Sequence, residues 1–238
     1  MASEVFRIGV VGDVHQQWDE EDALALDAQG YDLILITGDL GSYRANDAAT
    51  VARRVAALRT PAIAIAGNHD AVHAAQLISE AIPQAKLLRT LLSVGQHARV
   101  DALSQALGPV TLGGYSVHPI REKLYVVVAR PHSMGGPSLA FVAQLSTRFG
   151  VKTMEDSVAR LTACVDQTPP DTTLLFLAHN ACSGLGASRS DIAGRDFHRD
   201  EGDWGDPDLR AARGPARRSR WRVAAMFSWH WQLWWRGG

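Results

Sequence analysis

Polar side chains that can bind metal ions or transfer protons follow four short apolar runs of this 238-residue chain. The runs cover residues 5–11, 33–37, 62–66 and 173–178. The polar residues that follow them are Asp13, His15, Asp39, Asn68, His69, Asp70, His179 and Asn180. Such runs are typical of strands buried on both faces, and ligands bind at the carboxyl ends of strands in open α/β sheets. The sequence therefore predicts one site shared by four strand ends.

The residue types indicate which chemistry this site would support. Carboxylate, imidazole and amide oxygen, without thiolate, suit divalent ions such as Mn, Fe, Zn or Mg. A carboxylate shared by two ions would hold them about 3.5–4 Å apart, as in two-metal phosphoryl hydrolysis. Taken alone, Asp39 is more typical of a turn, and His179 of a hydrogen-bonded core residue. The interpretation as a site depends on the whole set occurring in order at strand ends.

The segments between the runs predict an α/β fold. Helix-like stretches at 19–29 and 46–59 separate the first three runs, with Asp19 and Asn46 as suitable N-caps. This β-α-β-α-β order implies a parallel sheet with right-handed crossovers. Further helices are expected at 70–80 and 153–167, strands at 98–101, 109–117 and 124–128, and a hairpin turn at Gly113-Gly114.

These motifs together resemble the signature of calcineurin-like metallophosphoesterases. The matching segments are Asp13-x-His15, Gly38-Asp39, Gly67-Asn68-His69-Asp70 and His179, and the resemblance covers residues 5–209. It implies a four-layer α/β/β/α sandwich that holds two divalent metal ions. Segments 124–138, 178–186 and 191–209 further resemble a cyanobacterial and plastid branch of the superfamily.

The resemblance also implies a role for each site residue. Asp13 and His15 would bind the first metal ion, and Asp39 would bridge the two ions. The second ion would be bound by Asn68 and His179. The family's catalytic histidine corresponds to His69, which would act as general acid or stabilise the transition state, oriented by Asp70.

The composition changes near residue 209. Residues 209–238 contain seven arginines, five of the seven tryptophans and no acidic residue. The preceding residues therefore hold 17 of the 24 basic residues (24 minus 7) against all 25 acidic ones. We expect a phosphoesterase domain at 1–209 and an atypical Arg/Trp-rich tail at 210–238.

The Gly-His-x-His motif that normally follows His179 in this family does not occur in the sequence. His198 lies too early for that motif, and His230 stands between two tryptophans of the tail. The arginines of the tail interrupt the alternation of a buried strand, so we expect the sandwich to be incomplete at its C-terminus. A shifted reading frame downstream of codon 209 is our hypothesis for this departure.

The sequence thus predicts a hydrolase of phosphate mono- or diesters. Arg130 could contact the substrate phosphate, although Arg130 and His132 are more typical of loop-forming residues. The alternative is a degenerate member, weakly active or inactive, that acts as a binding protein through its basic tail on nucleic acid or an anionic surface. We expect neither a nucleic-acid nor a membrane partner. Two cysteines, no membrane-length apolar run and no signal peptide predict a cytoplasmic location.

Overall fold

The computed structural model describes residues 5–42, 44, 46–82, 84–195, 200–218 and 221–228. The described strands are β1 (Ile8–Val11), β2 (Leu33–Ile36), β3 (Ala62–Ile65), β4 (Thr111–Gly113), β5 (Ser116–Arg121), β6 (Leu124–Val128), β7 (Thr172–Leu177) and β8 (Trp221–Phe227). The described helices are α1 (Glu20–Ala28), α2 (Asp47–Val55), α3 (Ala74–Ala81), α4 (Lys86–Leu92), α5 (Gln96–Ala106), α6 (Val142–Phe149), α7 (Met154–Asp166) and α8 (Pro207–Arg218).

The strands form two sheets of four strands each. The first sheet has the order β1-β2-β3-β4, and all its neighbours are parallel. The second sheet has the order β5-β6-β7-β8, in which only the β5–β6 pair is antiparallel. The predicted α/β class and the four apolar runs at β1, β2, β3 and β7 are confirmed.

The layers follow from the alternation of side chains along each strand. In β2, Ile34 and Ile36 pack in a buried cluster with residues of α1, α2 and α5. The intervening Leu33 and Leu35 face the other way and pack with Val126 and other residues of β3, β6 and β7. A third cluster joins β6 and β7 to α6, α7 and α8. The order helix, sheet, sheet, helix agrees with the predicted α/β/β/α sandwich.

Local sequence signals explain where two of these helices begin. Asp19 accepts hydrogen bonds from the backbone of Glu21 and Asp22, and Asp22 bonds back to Asp19 N, which is a capping box. Thr153 and Asp156 form the same arrangement at the start of α7. Asn46 precedes α2 as predicted, but its side chain makes no capping hydrogen bond.

Two predictions about the middle of the chain are wrong. Residues 98–101 lie within helix α5, because the surrounding residues 96–106 are mostly good helix formers that bury Val100 and Leu103. Residues 109–117 are not one hairpin. Gly113 ends β4 in the first sheet and Ser116 begins β5 in the second, so this segment carries the chain from one sheet to the other.

The first part of the tail forms regular structure. Helix α8 runs across the composition change at residue 209, and β8 pairs in parallel with β7 from Trp221 to Phe227. The expectation that the tail cannot supply a strand is wrong for 221–227. Arg222 occupies an exposed position, whereas Val223 lies half-buried against the α7–α8 side of the sheet. The arginine thus fits the alternation that it was expected to break.

His230 and four tryptophans of the tail lie outside the described residues. His198 also lies outside them. The division of the chain into domains at 1–209 and 210–238 stays a prediction. Among the residues that the structure describes, no helix is both long enough and apolar enough to cross a membrane.

Replacing Val223 with Lys should lower the free energy of unfolding by about 1–3 kcal/mol, because a charge would replace a half-buried apolar side chain that packs against the core. Ala224→Lys adds the same charge at an exposed position of β8 and should change stability by less than about 0.5 kcal/mol. Urea unfolding of both variants measures the difference. Equal stabilities would show that β8 does not contribute to the core.

Candidate metal centre

The carboxyl ends of β1 and β2 bring three potential metal ligands together. Ligand atoms of Asp13, His15 and Asp39 all lie within 4.8 Å of one another. His15 Nε2 is 2.8 Å from Asp13 Oδ1 and 3.9 Å from Asp39 Oδ2. Asp39 is buried, while Asp13 and His15 are partly exposed, so the cluster is open to solvent on one side.

A second group of ligand atoms adjoins Asp39 on its other side. His179, at the end of β7, places Nε2 2.9 Å from Asn68 Oδ1 and 3.6 Å from Asp39 Oδ1. The two carboxylate oxygens of Asp39 therefore face different groups: Oδ2 faces His15 and Oδ1 faces His179. The structure thus brings together the five side chains that the sequence predicts as metal ligands. Their assignment as ligands stays a prediction.

The backbone of these loops is held in unusual conformations. Asp13, His15 and Asp39 have φ values of 57°, 41° and 53°, in the left-handed region that side chains rarely adopt. Gly67 lies so close to this point that an added Cβ would be 2.6 Å from His179 Cε1. Strain of this kind is concentrated at functional sites, where the surrounding structure maintains it.

Backbone carbonyls set the same tautomer on four histidines. Each Nδ1 lies near a carbonyl oxygen, which can only accept, so Nδ1 must donate. The pairs are His15 with Gly41 O at 3.1 Å, His69 with Ser42 O at 2.9 Å, His132 with Gly67 O at 2.9 Å, and His179 with Thr37 O at 2.7 Å. In the neutral form the lone pair is then on Nε2, the arrangement in which histidine binds metals.

This tautomer provides a test of whether the residues fit a cation. The lone pair of neutral His179 faces the amide oxygen of Asn68, which is also an acceptor. His15 Nε2 likewise faces two carboxylates, and the hydrogen bond with Asp13 raises the pKa of His15 to about 9. In the neutral form of His179 two acceptors face each other, and at His15 two carboxylates meet at one ring nitrogen, so a cation bound at either place would be stabilised by the groups around it. The donor set of carboxylate, imidazole and amide therefore fits divalent ions.

Comparisons with known proteins agree with this geometry. A family model described as calcineurin-like phosphoesterase matches residues 6–183, more than half of the chain. The chain belongs to the calcineurin-like phosphoesterase family. It superposes on one solved crystal structure with a TM-score of 0.56 at 10% identity, covering 94% of this chain and 83% of that one. The fold is therefore shared with a solved structure.

A second solved structure, that of TT1561 of Thermus thermophilus, aligns at 13% identity with a TM-score of 0.46, covering 86% of this chain and 75% of that one. No curated protein matches the sequence. Membership of the calcineurin-like phosphoesterases supports a metal-dependent phosphoesterase in general terms, and the cluster of Asp13, His15 and Asp39 provides a candidate metal site.

Asp70 joins the loops that carry the central residues of the site. Its carboxylate accepts three backbone hydrogen bonds, from Asp39 N at 2.9 Å, Gly67 N at 2.8 Å and Gly41 N at 3.0 Å. Burial and the nearby charge of Asp39 raise the pKa of Asp70 to about 6. The ring of His69 is held by Ser42 O, and the expectation that Asp70 orients this ring stays a prediction.

His69 lies beside the cluster and is partly buried. Its backbone N–H donates to Asp39 Oδ1 at 2.9 Å, and its ring meets that of His15 edge-on with centroids 5.0 Å apart. The same residue therefore orients the central carboxylate through its backbone and presents an imidazole next to it.

Arg130 is not at the surface of the site. Its guanidinium is buried and pairs with Asp206 at 2.7 Å and Asp208 at 2.9 Å. These contacts are those of a structural residue, the alternative that the sequence favours, and they leave no exposed surface for a substrate phosphate. His132 is also buried, with its backbone N–H 2.7 Å from Ala66 O.

Sequence reasoning missed the two carboxylates that neutralise Arg130. Asp206 also accepts hydrogen bonds from Ser133 Oγ at 2.6 Å and from Asn180 Nδ2 at 3.4 Å, so one carboxylate joins loops that follow β6 and β7. Asp208 accepts a bond from the buried Ser157 of α7. The signal was the Asp-Pro-Asp sequence at residues 206–208, directly before the tail, in which Pro207 begins α8.

Asp206→Asn should alter the pH dependence of stability. Burial raises the pKa of Asp206 to about 6 from the ordinary value of 3.8, so between these values the folded protein holds more protons than the unfolded chain. The stability of the wild type that depends on this group therefore falls as the pH rises through that range. The free energy of unfolding of the variant minus that of the wild type should increase by about 1–3 kcal/mol from pH 4 to pH 7.

Urea unfolding at several pH values measures this difference. Asp166→Asn, at an exposed position of α7, is the matched control and should follow the wild type. Parallel pH profiles for Asp206→Asn and the wild type would show that Asp206 has an ordinary pKa in the folded protein.

Proposed function

We propose that this chain hydrolyses phosphate mono- or diesters with two divalent ions, held by Asp13 and His15 on one side and by Asn68 and His179 on the other. The observation that carries the proposal is the position of Asp39, whose two buried oxygens face the two groups separately. A carboxylate in this position can bridge two ions.

The ions, when bound, would polarise the phosphate oxygens and provide a nucleophilic water at neutral pH. The ligand types are compatible with Mn, Fe, Zn or Mg. The protein contributes the fixed orientation: the Thr37 and Gly41 carbonyls hold the rings of His179 and His15, and Asp70 holds the loops that carry Asp39 and Asn68. Such fixed partners behind the ligands are typical of metal centres.

The substrate would approach the cluster where it is open. A cavity of about 490 Å³ lies beside Asp13, between the end of β1 and helix α1. Its lining includes Gly12, Asp13, Val14 and Trp18. His69 would donate a proton to the leaving group. Because its Nδ1 is hydrogen-bonded to Ser42 O, Nε2 is the ring nitrogen that would transfer this proton.

A second candidate function follows from the C-terminal part of the sequence, which departs from the pattern of the family. The sequence lacks Gly-His-x-His, and the residues 229–238 that include His230 lie outside the described structure. A chain that cannot retain both ions would act as a binding protein, with the basic tail on nucleic acid or an anionic surface. A cytoplasmic location stays a prediction for either function.

Hydrolysis of p-nitrophenyl phosphate and of its bis-ester tests the main proposal. Protein treated with a chelator should be inactive and should regain activity with added Mn²⁺. Metal analysis should find more than one ion per chain at saturation. Retention of fewer than two ions per chain, without hydrolysis of either ester, would favour the binding-protein alternative, and no metal binding at all would exclude the proposal.

Asp39→Ala should remove more metal than His15→Ala or Asn68→Ala, because Asp39 serves both ions. Asp39→Asn should keep the shape of the site and lose the charge that offsets two dications. Metal content after dialysis is the measurement, with the exposed Asp166→Asn as a control. Equal metal content in Asp39→Ala and the wild type would contradict the shared-carboxylate arrangement.

His69→Asn should leave the metal content close to that of the wild type and lower kcat by about 10²–10⁴-fold, the usual loss for a general acid. The loss should be smaller for esters with good leaving groups, since these need little protonation. Steady-state kinetics on two esters of different leaving-group pKa measures this. If His69→Asn instead strips the metal, His69 is a ligand.

A further inference from the structure

Large aliphatic side chains are concentrated on the exposed surface of helices α3 and α4, which we call the α3–α4 patch. Among the described residues, eleven large hydrophobic side chains are exposed, and six of these lie between residues 78 and 94. Single exposed aliphatic residues are ordinary, whereas a concentration of them marks an interaction site. The patch comprises Ile78, Ile82, Leu87, Leu88, Leu91 and Val94, which are 43–76% exposed.

The spacing of these residues places them on one side of each helix. Ile78 and Ile82 are one turn apart at the C-terminal end of α3. Leu87, Leu91 and Val94 follow the i, i+4, i+7 spacing of one helical face along α4 and the turn after it. The aliphatic side chains therefore form stripes along the helices and are not scattered around them.

The two helices hold a fixed position relative to each other. Helices α3 and α4 pack together, and Arg89 Nη1 of α4 lies 4.0 Å from Glu80 Oε2 of α3. The Glu80 side chain is buried, so this ion pair is largely shielded from water. The patch is thus preformed, and covering it would not require the helices to rearrange.

Helix α4 buries little of its own apolar surface. It contains four leucines in 7 residues, of which Leu87, Leu88 and Leu91 are exposed and Leu92 is half-buried. A helix of this length is not stable in water by itself and depends on the packing of an apolar face. A surface that covered these leucines would therefore stabilise α4.

The composition of the patch does not favour a lipid surface. Segments that lie on membranes combine apolar side chains with Lys or Arg and with aromatic residues at the interface. Between residues 74 and 98, every exposed residue that the structure describes is uncharged, and none is aromatic. A protein surface of matching apolar character is the better partner.

The same lack of charge makes the patch compatible with a second copy of itself. In a twofold dimer the same surface occurs on both sides, so a patch with one sign of charge would repel its copy. The α3–α4 patch would meet no such repulsion. Homodimer interfaces are also more apolar than the interfaces of transient complexes.

The area of the patch is close to what a dimer needs. The exposed fractions are equivalent to between three and four fully exposed aliphatic residues, which is on the order of 600 Å² per copy. Two copies would then bury on the order of 1,200 Å², the lower end of the range for specific protein interfaces.

The tail of the chain is poorly placed to cover the patch. It follows β8, which lies at the opposite end of the second sheet from β5. Helices α3 and α4 border α6, and α6 lies beside β5. A second copy of the chain is therefore the occupant that these observations favour.

We propose that the α3–α4 patch is the interface of a homodimer, in which the patches of two copies cover each other. The interface involves none of the residues proposed to bind metal or to transfer protons. Its test therefore does not depend on whether the chain is a phosphoesterase.

Sedimentation velocity of the full-length protein at concentrations from about 0.5 to 500 µM tests the proposal. A monomer–dimer equilibrium with a dissociation constant of about 1–100 µM is expected for an interface of this size. Leu91→Glu places an unpaired charge within the patch and should raise this constant at least about 100-fold.

Leu24→Glu is the matched control. Leu24 lies on α1, outside the patch, and is 62% exposed, the same fraction as Leu91. This variant should dimerise like the wild type. Because both substitutions are at exposed positions, both variants should fold, and thermal unfolding checks that they do.

Hydrogen exchange provides a second measurement on the unmodified protein. Amides of residues 86–94 should exchange more slowly above the dissociation constant than below it, because the dimer would stabilise α4. Amides of α1 should exchange at the same rate at both concentrations.

Three results would overturn the proposal. A protein that stays monomeric over the whole concentration range has no such dimer. A dimer that is equally strong in Leu91→Glu and Leu24→Glu has its interface elsewhere. Binding of the monomer to vesicles of equal parts phosphatidylcholine and phosphatidylserine, lost in Leu91→Glu, would assign the patch to a lipid surface instead.

Discussion

A buried carboxylate holds the centre of this protein in shape. Asp70 accepts hydrogen bonds from the backbone N–H groups of Asp39, Gly41 and Gly67, and these residues belong to loops that follow two neighbouring strands. Without such an acceptor, the buried N–H groups would lose their partners together. The left-handed backbone of Asp39 is maintained by this arrangement, and the direction of its side chain follows from it. The geometry of the metal centre thus depends on a residue that is not itself among the proposed ligands.

Much of the fold was predictable because its signals are local. The apolar runs at 33–37 and 62–66 are short and bounded by turn residues, and both are strands buried on two faces. The order of helices and strands then implied a parallel sheet, which brings the polar residues after β1, β2 and β3 to one edge. His179 reaches the same place from β7, a strand of the second sheet. The prediction of a strand at 98–101 was wrong because a run of four residues does not distinguish a strand from part of a helix. The prediction of a hairpin turn at Gly113-Gly114 was wrong because a glycine pair does not indicate whether the chain turns within one sheet or passes to another.

The site was less predictable where contacts are distant in sequence. The positions of Asp13 and Asp39 follow from motif and topology, but the partners of Arg130 lie more than 70 residues away, at Asp206 and Asp208. Nothing near Arg130 in the sequence distinguishes a buried ion pair from a phosphate contact. The hydrogen bonds of Asp70 could not be predicted either, because its three donors are backbone N–H groups, which every residue except proline has.

The parallel pairing of β7 with β8 has a consequence for the order in which the chain can fold. Residues 221–227 leave the ribosome long after residues 172–177, and until then β7 has no neighbour on one side. An unpaired apolar edge is a template for pairing with other chains. During synthesis the chain therefore passes through a stage at which aggregation competes with folding. Chaperones that bind exposed strands would act on this chain at that stage, and the pairing of β8 with β7 ends the exposure.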